Sequence, residues 1–267
     1  MSLFSRSAVA LAALALSAHT AAASSCGDTS AGFDAWKSDF ARVAKRAGVK
    51  RPGLDALARA QYATRTIAAD RNQKSFRYPL DKFMQVRGAS TIVAQGRQRK
   101  ATNPQFYAAL ERQFGVPSGV LIAIHGMETA FGGFMGDSSV VSAIVTLTFD
   151  CRRSEFFQPH AISALKLVDR GAITSTTKGA KHGELGHTQF LPGNALKYGV
   201  DATGDGRVDF YNQVDALAST ANFLRQKGWR PGQGYQEGQP NFAVIKHWNA
   251  ATVYQQAIAI MAARIDG

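Results

Sequence analysis

Phe114-Gly-Val-Pro-Ser-Gly-Val-Leu-Ile-Ala-Ile-His-Gly-Met-Glu-Thr-Ala-Phe-Gly132 decides how this chain reads. Pro117 suits the first position of a helix and Gly132 the residue just past its end. On a 3.6-residue period Leu121, Ile124 and Glu128 share one face, and the two aliphatics make that face the apolar one. A carboxylate there is desolvated, which pushes its pKa toward the range of a general acid. Glu128 is therefore the candidate catalytic residue. A glutamate that ends a helix by pairing or capping fits the same pattern, and this segment alone leaves both readings open.

Working outward, the N-terminus speaks to compartment. Arg6 precedes a short apolar run, Ala8 to Leu16, and Ala21-Ala-Ala23 offers a small-residue cleavage site. The expectation is a secretory signal peptide over 1–23, removed before Ser24, and a periplasmic mature protein. No later stretch is apolar enough to span a bilayer. Cys26 and Cys151 are the only cysteines, and in an exported chain two cysteines pair, so a Cys26–Cys151 disulfide is expected. With 31 Lys and Arg against 19 Asp and Glu, the formal net charge is +12, which draws the protein to anionic polymers. The basic residues are scattered, with Arg97-Gln-Arg-Lys100 the densest run, so acidic envelope polymers fit better than nucleic acid.

The apolar pattern is mostly helical. Phe33, Trp36, Phe40, Val43 and Ala47 form an amphipathic stripe that stops at Gly48, and Pro52 starts a second helix. The charged run from Asp70 to Arg87 reads as a connection. Helices follow from Pro104, through Glu128, over Val140 to Leu147, over Phe157 to Val168, from Asp215 to Gly228 and from Thr252 to Ile265. Between them, Ile173 to Gly206 is rich in Gly, Thr and Lys without helical period; long irregular segments in compact domains are often functional.

That segment holds two features. Asp201-Ala-Thr-Gly-Asp-Gly-Arg-Val-Asp209 matches the opening of an EF-hand loop, with side-chain oxygens at positions one, three and five and glycine at six. Position twelve is Asn212 instead of a bidentate Glu, and Asp215 is the candidate distant carboxylate. Asp201, Thr203, Asp205, Asp215 and the Arg207 carbonyl are thus the candidate ligands of a structural Ca²⁺; an Asp/Gly-rich turn without metal reads equally well. Gly186-His-Thr-Gln-Phe-Leu-Pro192 places an amide and an aromatic on irregular backbone, as sugar sites often do.

Taken in order, these pieces resemble the lytic murein transglycosylase B family from about Phe33 to Ile265. Phe33-Asp-Ala-Trp-Lys-Ser-Asp-Phe40 looks like the family's opening helix, and Gly126-Met-Glu-Thr-Ala-Phe-Gly132 like its catalytic helix. Thr146-Leu-Thr-Phe-Asp-Cys-Arg-Arg153 resembles its arginine-pair motif, Gly183 to Pro192 its Gln-Phe-x-Pro segment, and Val200 to Gly206 its calcium loop. Ala218 to Leu224, Gly228-Trp229, Trp248-Asn249 and Tyr254 complete the set. The resemblance implies a mainly α (α+β), lysozyme-like fold with a small irregular or β segment and an EF-hand-like loop. It also implies one catalytic domain over 24–267, with its lysozyme-like core at about 104–230 and helical parts at 31–103 and 231–267.

The implied activity is cleavage of the β-1,4 bond between N-acetylmuramic acid and N-acetylglucosamine in peptidoglycan without water, leaving 1,6-anhydromuramic ends. Glu128 would serve as both acid and base, with no cofactor for catalysis. Gln189 would hold the sugar near the break, and Arg152 and Arg153 would pair with lactyl or peptide carboxylates, unless one is a structural arginine. Phe190, Trp248 and Tyr254 would offer apolar faces to sugar rings, and Asn249 a polar contact. Implied partners are peptidoglycan strands and, in some settings, envelope-spanning assemblies, with the enzyme itself a monomer.

Departures from the family pattern bear on outcome. Ala180 stands where many relatives carry a small polar serine, and Phe223 where they often have tyrosine. His182 and Glu184 are polar insertions near the site, and Glu184 as a second carboxylate keeps a hydrolytic muramidase in view. A non-catalytic wall-binding scaffold is the third class.

Overall fold

The computed structural model describes residues 26–72 and 77–267; the expected signal peptide lies outside them. The chain runs α1 (Phe33–Arg46), α2 (Arg51–Arg59), α3 (Thr64–Arg71), α4 (Leu80–Val86), α5 (Ala89–Thr102), α6 (Pro104–Phe114), α7 (Ser118–Thr129), β1 (Ser138–Ser139), α8 (Val140–Phe149), α9 (Ser154–Asp169), β2 (Lys178–Gly179), α10 (Pro192–Tyr198), α11 (Gln213–Gln226), α12 (Phe242–Ile245) and α13 (Thr252–Asp266). The two short strands pair antiparallel, Ser138 with Gly179 and Ser139 with Lys178. The mainly helical architecture with a small β segment agrees with the sequence reading.

α7 is the hub. The sequence pattern suggested a helix apolar on one face, but every residue from Ser118 to Met127 is buried, so the helix is enclosed on all sides. Pro117 is the residue before the helix, not its first turn, and the chain leaves α7 through left-handed Ala130 and Phe131, ahead of Gly132. Thr129 supports this exit, its Oγ1 accepting from the Gly132 N–H at 2.9 Å and donating to the His187 carbonyl at 2.7 Å.

α13 lies antiparallel along α7. A Cβ on Gly119 would stand 2.4 Å from the Ala262 carbonyl, so only glycine admits this approach. The Gly119 N–H donates to Asp266 Oδ1 at 2.9 Å, tying one end of the pair, and the other end brings Tyr254 beside Glu128. α13 thus shares the core of α7, together with Val116, Leu217, Phe223 and Trp229. The 231–267 part therefore builds the same core as the 104–230 part.

A second apolar core gathers α1, α2, α8 and α9 around Phe40, Leu57, Phe149 and Leu165. α8 serves both, with Val140 in the first core and Ile144 and Leu147 in the second. The Phe33, Trp36 and Phe149 rings interlock there, Trp36 stacking on Phe40 at 4.8 Å.

The run from Asp70 to Arg87, read as a connection, includes the end of α3 and the whole of α4, whose Phe83 is fully buried. α5 was not anticipated: it buries Ala89, Ile92, Val93 and Gly96 and leaves a long polar remainder that hides the period. Within the irregular segment α10 forms at Pro192, where proline at the first turn is preorganised.

Cys26 and Cys151 form a disulfide with Cα atoms 4.9 Å apart. Gly27 beside it pairs with Asp150, its N–H donating to the Phe149 carbonyl at 3.0 Å. The bridge closes a loop with a sequence separation of 125. In the chain-entropy picture such a loop is worth ~4–5 kcal/mol, often less in practice. Reduction, or the Cys26→Ser/Cys151→Ser double variant, lowers the melting temperature of the mature protein; an unchanged melting curve would show that the crosslink contributes nothing.

Candidate active site

Glu128 ends α7 at the bottom of a surface groove. A cavity of 260 Å³ on one side is lined by Gln189, Phe190, Asn194, Phe223, Trp248 and Asn249. A broader one of 950 Å³ on the other is bordered by Arg87, Arg153, Phe156, Lys181 and His182. Glu128, Glu184, Leu191, Trp248 and Asn249 line both, so the carboxyl group sits where the two halves meet.

Both donors to Glu128 reach the same oxygen. Tyr254 Oη donates to Oε1 at 2.6 Å and Trp248 Nε1 at 3.1 Å, while Oε2 accepts from neither. Burial is the largest influence on this carboxyl and raises its pKa. The Tyr254 and Trp248 hydrogen bonds oppose that, the Glu184 charge adds to it, and the Arg87 charge opposes it; the net direction is up. Burial, and then the Glu128 charge, hold the Tyr254 hydroxyl well above its ordinary pKa, so it stays a donor. The result is a carboxyl group with one oxygen fixed and the other able to carry a proton into the groove.

Trp248 is positioned by packing. Phe190 and Phe223 meet its indole edge to face at 5.0 and 5.3 Å, and both phenyl rings are almost wholly buried. The family resemblance assigned Phe190 and Tyr254 as ring faces for sugars. In the structure Phe190 supports Trp248, and Tyr254, 3% exposed, presents only its hydroxyl, to Glu128. Nothing in the sequence links Tyr254 to a carboxylate 126 positions away. Asn249 braces the turn before α13, its Oδ1 accepting from the Ala251 N–H at 3.0 Å.

Gln189 sits in a tight hairpin closed by reciprocal Leu185–Phe190 backbone hydrogen bonds of 2.8 and 3.0 Å. Its φ of 56° is left-handed, and its Nε2 donates to the Gly186 carbonyl at 2.7 Å. Gly186 is required there, because a Cβ would stand 1.9 Å from the Phe210 carbonyl.

Arg152 and Arg153 both form ion pairs with Asp70, whose side chain is 2% exposed. The Arg153 guanidinium also lies over the Phe157 ring at 4.8 Å. Buried Asp150 takes Arg71 at 2.9 Å. The arginine pair assigned to substrate carboxylates is thus anchored internally; Arg153 still borders the groove, whereas Arg152 faces the cavity beside the disulfide.

The acidic loop differs from the EF-hand expectation. Asp201 accepts backbone N–H groups from Gly204 and Gly206, both at 2.7 Å. Asp215, fully buried, accepts from Ala202, Thr203 and Asp209 at 2.9–3.0 Å. Its carboxylate is spent on the loop's own amides and does not stand as a distant ligand. Among the described residues no three His, Cys, Asp or Glu side chains converge as a metal would require.

One pair had no sequence signal. His125, buried on α7 one turn before Glu128, meets His187 with Nε2 and Nδ1 3.0 Å apart. Burial, then the His187 charge, lowers the His125 pKa to about 3.

The family model described as "Transglycosylase SLT domain" matches residues 32–239. The chain is 34% identical over 149 residues to the membrane-bound lytic murein transglycosylase B of Escherichia coli (strain K12), covering 51% of this chain and 41% of that protein; the match thus spans less than half the relative's length. The fold is similar to that of SltB3 from Pseudomonas aeruginosa in complex with NAG-NAM-pentapeptide, with a TM-score of 0.80, 26% identity, and coverage of 88% of this chain and 80% of that one. It is also similar to that of the Escherichia coli lytic transglycosylase Slt35 in complex with calcium, with a TM-score of 0.73, 21% identity, and coverage of 91% and 96%.

The buried imidazole generates a prediction. The unfolded chain takes up the His125 proton near pH 6.5, whereas the folded protein resists it until about 3. Stability therefore falls as pH drops through this window, by about 1.4 kcal/mol per pH unit from this group. Denaturant unfolding at pH 7, 5 and 4 should show a shallower acid slope in His125→Gln than in the parent; parallel slopes would refute it.

Proposed function

Because the chain belongs to the transglycosylase SLT domain family, we propose that it is a lytic murein transglycosylase that cleaves the MurNAc-β-1,4-GlcNAc bond of peptidoglycan without water. The observation that carries this is the Glu128 carboxyl group, raised in pKa and held by one oxygen, at the junction of a two-sided groove. A glycan lying through that groove places its scissile bond over Glu128 with sugars on either side.

Glu128 first gives its proton to the bridging oxygen, and the bond from that oxygen to C1 breaks. The muramic 6-hydroxyl then attacks C1, and its proton returns to Glu128. The acid is regenerated, no water is consumed, and the new end is a 1,6-anhydro ring, so no second carboxylate has to serve as nucleophile or base. The fixed Oε1 suits this double duty, since Oε2 both delivers and recovers the proton. SltB3 of Pseudomonas aeruginosa is known in complex with NAG-NAM-pentapeptide and with NAG-anhNAM-pentapeptide, which supports a substrate and product of these classes. The basic wall of Arg87, Arg153 and Lys181 along the broader cavity suits an anionic peptide stem.

The site of action in this reading is the periplasm, after removal of residues 1–23. Among the described residues no helix is long and apolar enough to cross a membrane. Hydrolysis to a reducing end is the second reading, because Glu184 gives the groove a second carboxylate.

Mass analysis of products from purified peptidoglycan tests the reading: anhydro ends are one water lighter than reducing ends, and reducing ends alone would make the enzyme a muramidase. Glu128→Gln keeps shape and loses the proton donor; turnover should fall by at least about 10²–10⁴-fold, and near-parental activity would remove Glu128 from the reaction.

A structural calcium ion at the Asp201 loop belongs to the same reading. Slt35 of Escherichia coli is known with calcium, and Asp201, Thr203 and Asp205 offer oxygens at alternate positions. With Asp215 engaged elsewhere, binding is expected to be weak. Millimolar Ca²⁺ added to chelator-treated protein should raise the melting temperature by mass action, and Asp205→Ala should abolish the rise while sparing activity. A melting curve indifferent to Ca²⁺ would leave the loop as a hydrogen-bonded turn.

A further inference from the structure

Glu184 is an unusual neighbour for a general acid, and its surroundings define what it can do. Its backbone is locked: the Ala180 N–H donates to the Glu184 carbonyl at 3.0 Å, and the Leu185–Phe190 hairpin follows at once. Its side chain, 22% exposed, lies against His182. Oε2 accepts from the His182 N–H at 3.1 Å, and Oε1 lies 3.5 Å from Nδ1. The other ring nitrogen of His182 stands 3.7 Å from Asp70 Oδ1, and Asp70 is pinned by Arg152 and Arg153. The result is a run of charged and polar groups that starts at a buried anchor and ends at the groove wall beside Glu128.

We propose that Glu184 is a positioning residue for the reaction: its charge, fixed at the groove wall by His182, acts on Glu128 and not on the sugar. The contrast between the two carboxylates supports this. Glu128 lines the meeting point of the cavities with one oxygen free of its two donors, whereas Glu184 is tied by one oxygen to the His182 N–H and has its other oxygen 3.5 Å from the His182 ring. A carboxylate held in place at the groove wall is a fixed source of field for its neighbours.

The groups acting on Glu128 come from every side of the groove. Tyr254 on α13, Trp248 and Arg87 favour the ionised form, while burial and Glu184 favour the protonated form. In a protein of net charge +12, with Arg87, Arg153 and Lys181 along the same groove, the surroundings would otherwise draw the proton off. Glu184 offsets them and shifts the balance toward the protonated acid. This inference rests on Glu128 being the general acid.

The test is the pH dependence of kcat and KM on purified glycan strands for the parent, Glu184→Gln, Glu184→Asp and Glu128→Gln. Gln keeps an acceptor for the His182 N–H and removes the charge. The alkaline limb of the kcat profile should then move to lower pH. Turnover at pH 7 should fall on the order of tenfold, while the low-pH plateau and KM stay within about twofold. Asp restores the charge and should move the limb back toward the parent. Should Glu184→Gln fail to fold, Glu184→Ala and Glu184→Lys carry the test, the reversed charge moving the limb further than the neutral one. An unshifted limb in a folded, neutral variant overturns the proposal and leaves Glu184 a packing residue. Loss of the plateau at every pH also overturns it, because Glu184 would then take part in the chemistry itself. Glu128→Gln separates the two readings: if it retains parental turnover, the acid assignment fails, whereas loss there with an unshifted Glu184→Gln limb sinks only this inference.

Discussion

Tyr254 and Trp248 donating to one oxygen of Glu128 is the contact on which the site depends. A carboxyl group at the end of a helix buried on all sides would be costly without partners. The fold answers with donors that cannot follow the proton: an indole N–H and a phenol kept protonated by burial. They favour the ionised acid, while burial favours the protonated one and sets the net direction. Each donor requires its own framework. Tyr254 needs α13 laid against α7 through Gly119, and Trp248 needs the Phe190 and Phe223 rings at its faces. Much of the first core exists, in this sense, to deliver two hydrogen bonds to one atom.

The opposite wall of the groove is built on other physics. Cys26–Cys151 and the Asp70 cluster with Arg152 and Arg153 tie α1, α3 and the α8–α9 junction together where the apolar core thins toward the surface. Removing one member of such a cluster leaves the rest as uncompensated charge, so these arginines are held by a structural constraint before any substrate arrives. His182 then lies between the cluster and Glu184, 3.7 Å from Asp70 and 3.5 Å from Glu184. The two walls meet at Glu128 from separate cores, α8 serving both.

The helical character, the buried acid, the basic charge and the cysteine pair were legible in local sequence because each is encoded locally: periodicity, a lone carboxylate among aliphatics, composition and a count of two thiols. The ordered motifs added the reaction class, and the family match and the structural likenesses agree with it. α5 escaped because only one narrow side of it is buried, and α4 because its charged residues mask a single buried Phe83. The acidic loop misled in its distant member, since alternate oxygens specify a turn as well as they specify a cation, and Asp215 was taken by backbone amides.

What the tertiary structure alone decided is who partners whom. Tyr254 and Glu128 are 126 positions apart, Arg152 and Asp70 82, and His125 and His187 62. No local pattern records such pairings, because a side chain's role as ring face, donor or counter-ion is set by what burial places opposite it. The sequence by itself determined that a carboxylate would be buried on a helix of a basic, helical protein. Packing decided which of its oxygens is fixed, which aromatics hold it, and which nearby charges raise its proton affinity, because hydrogen bonds and fields depend on distances that only the folded chain defines.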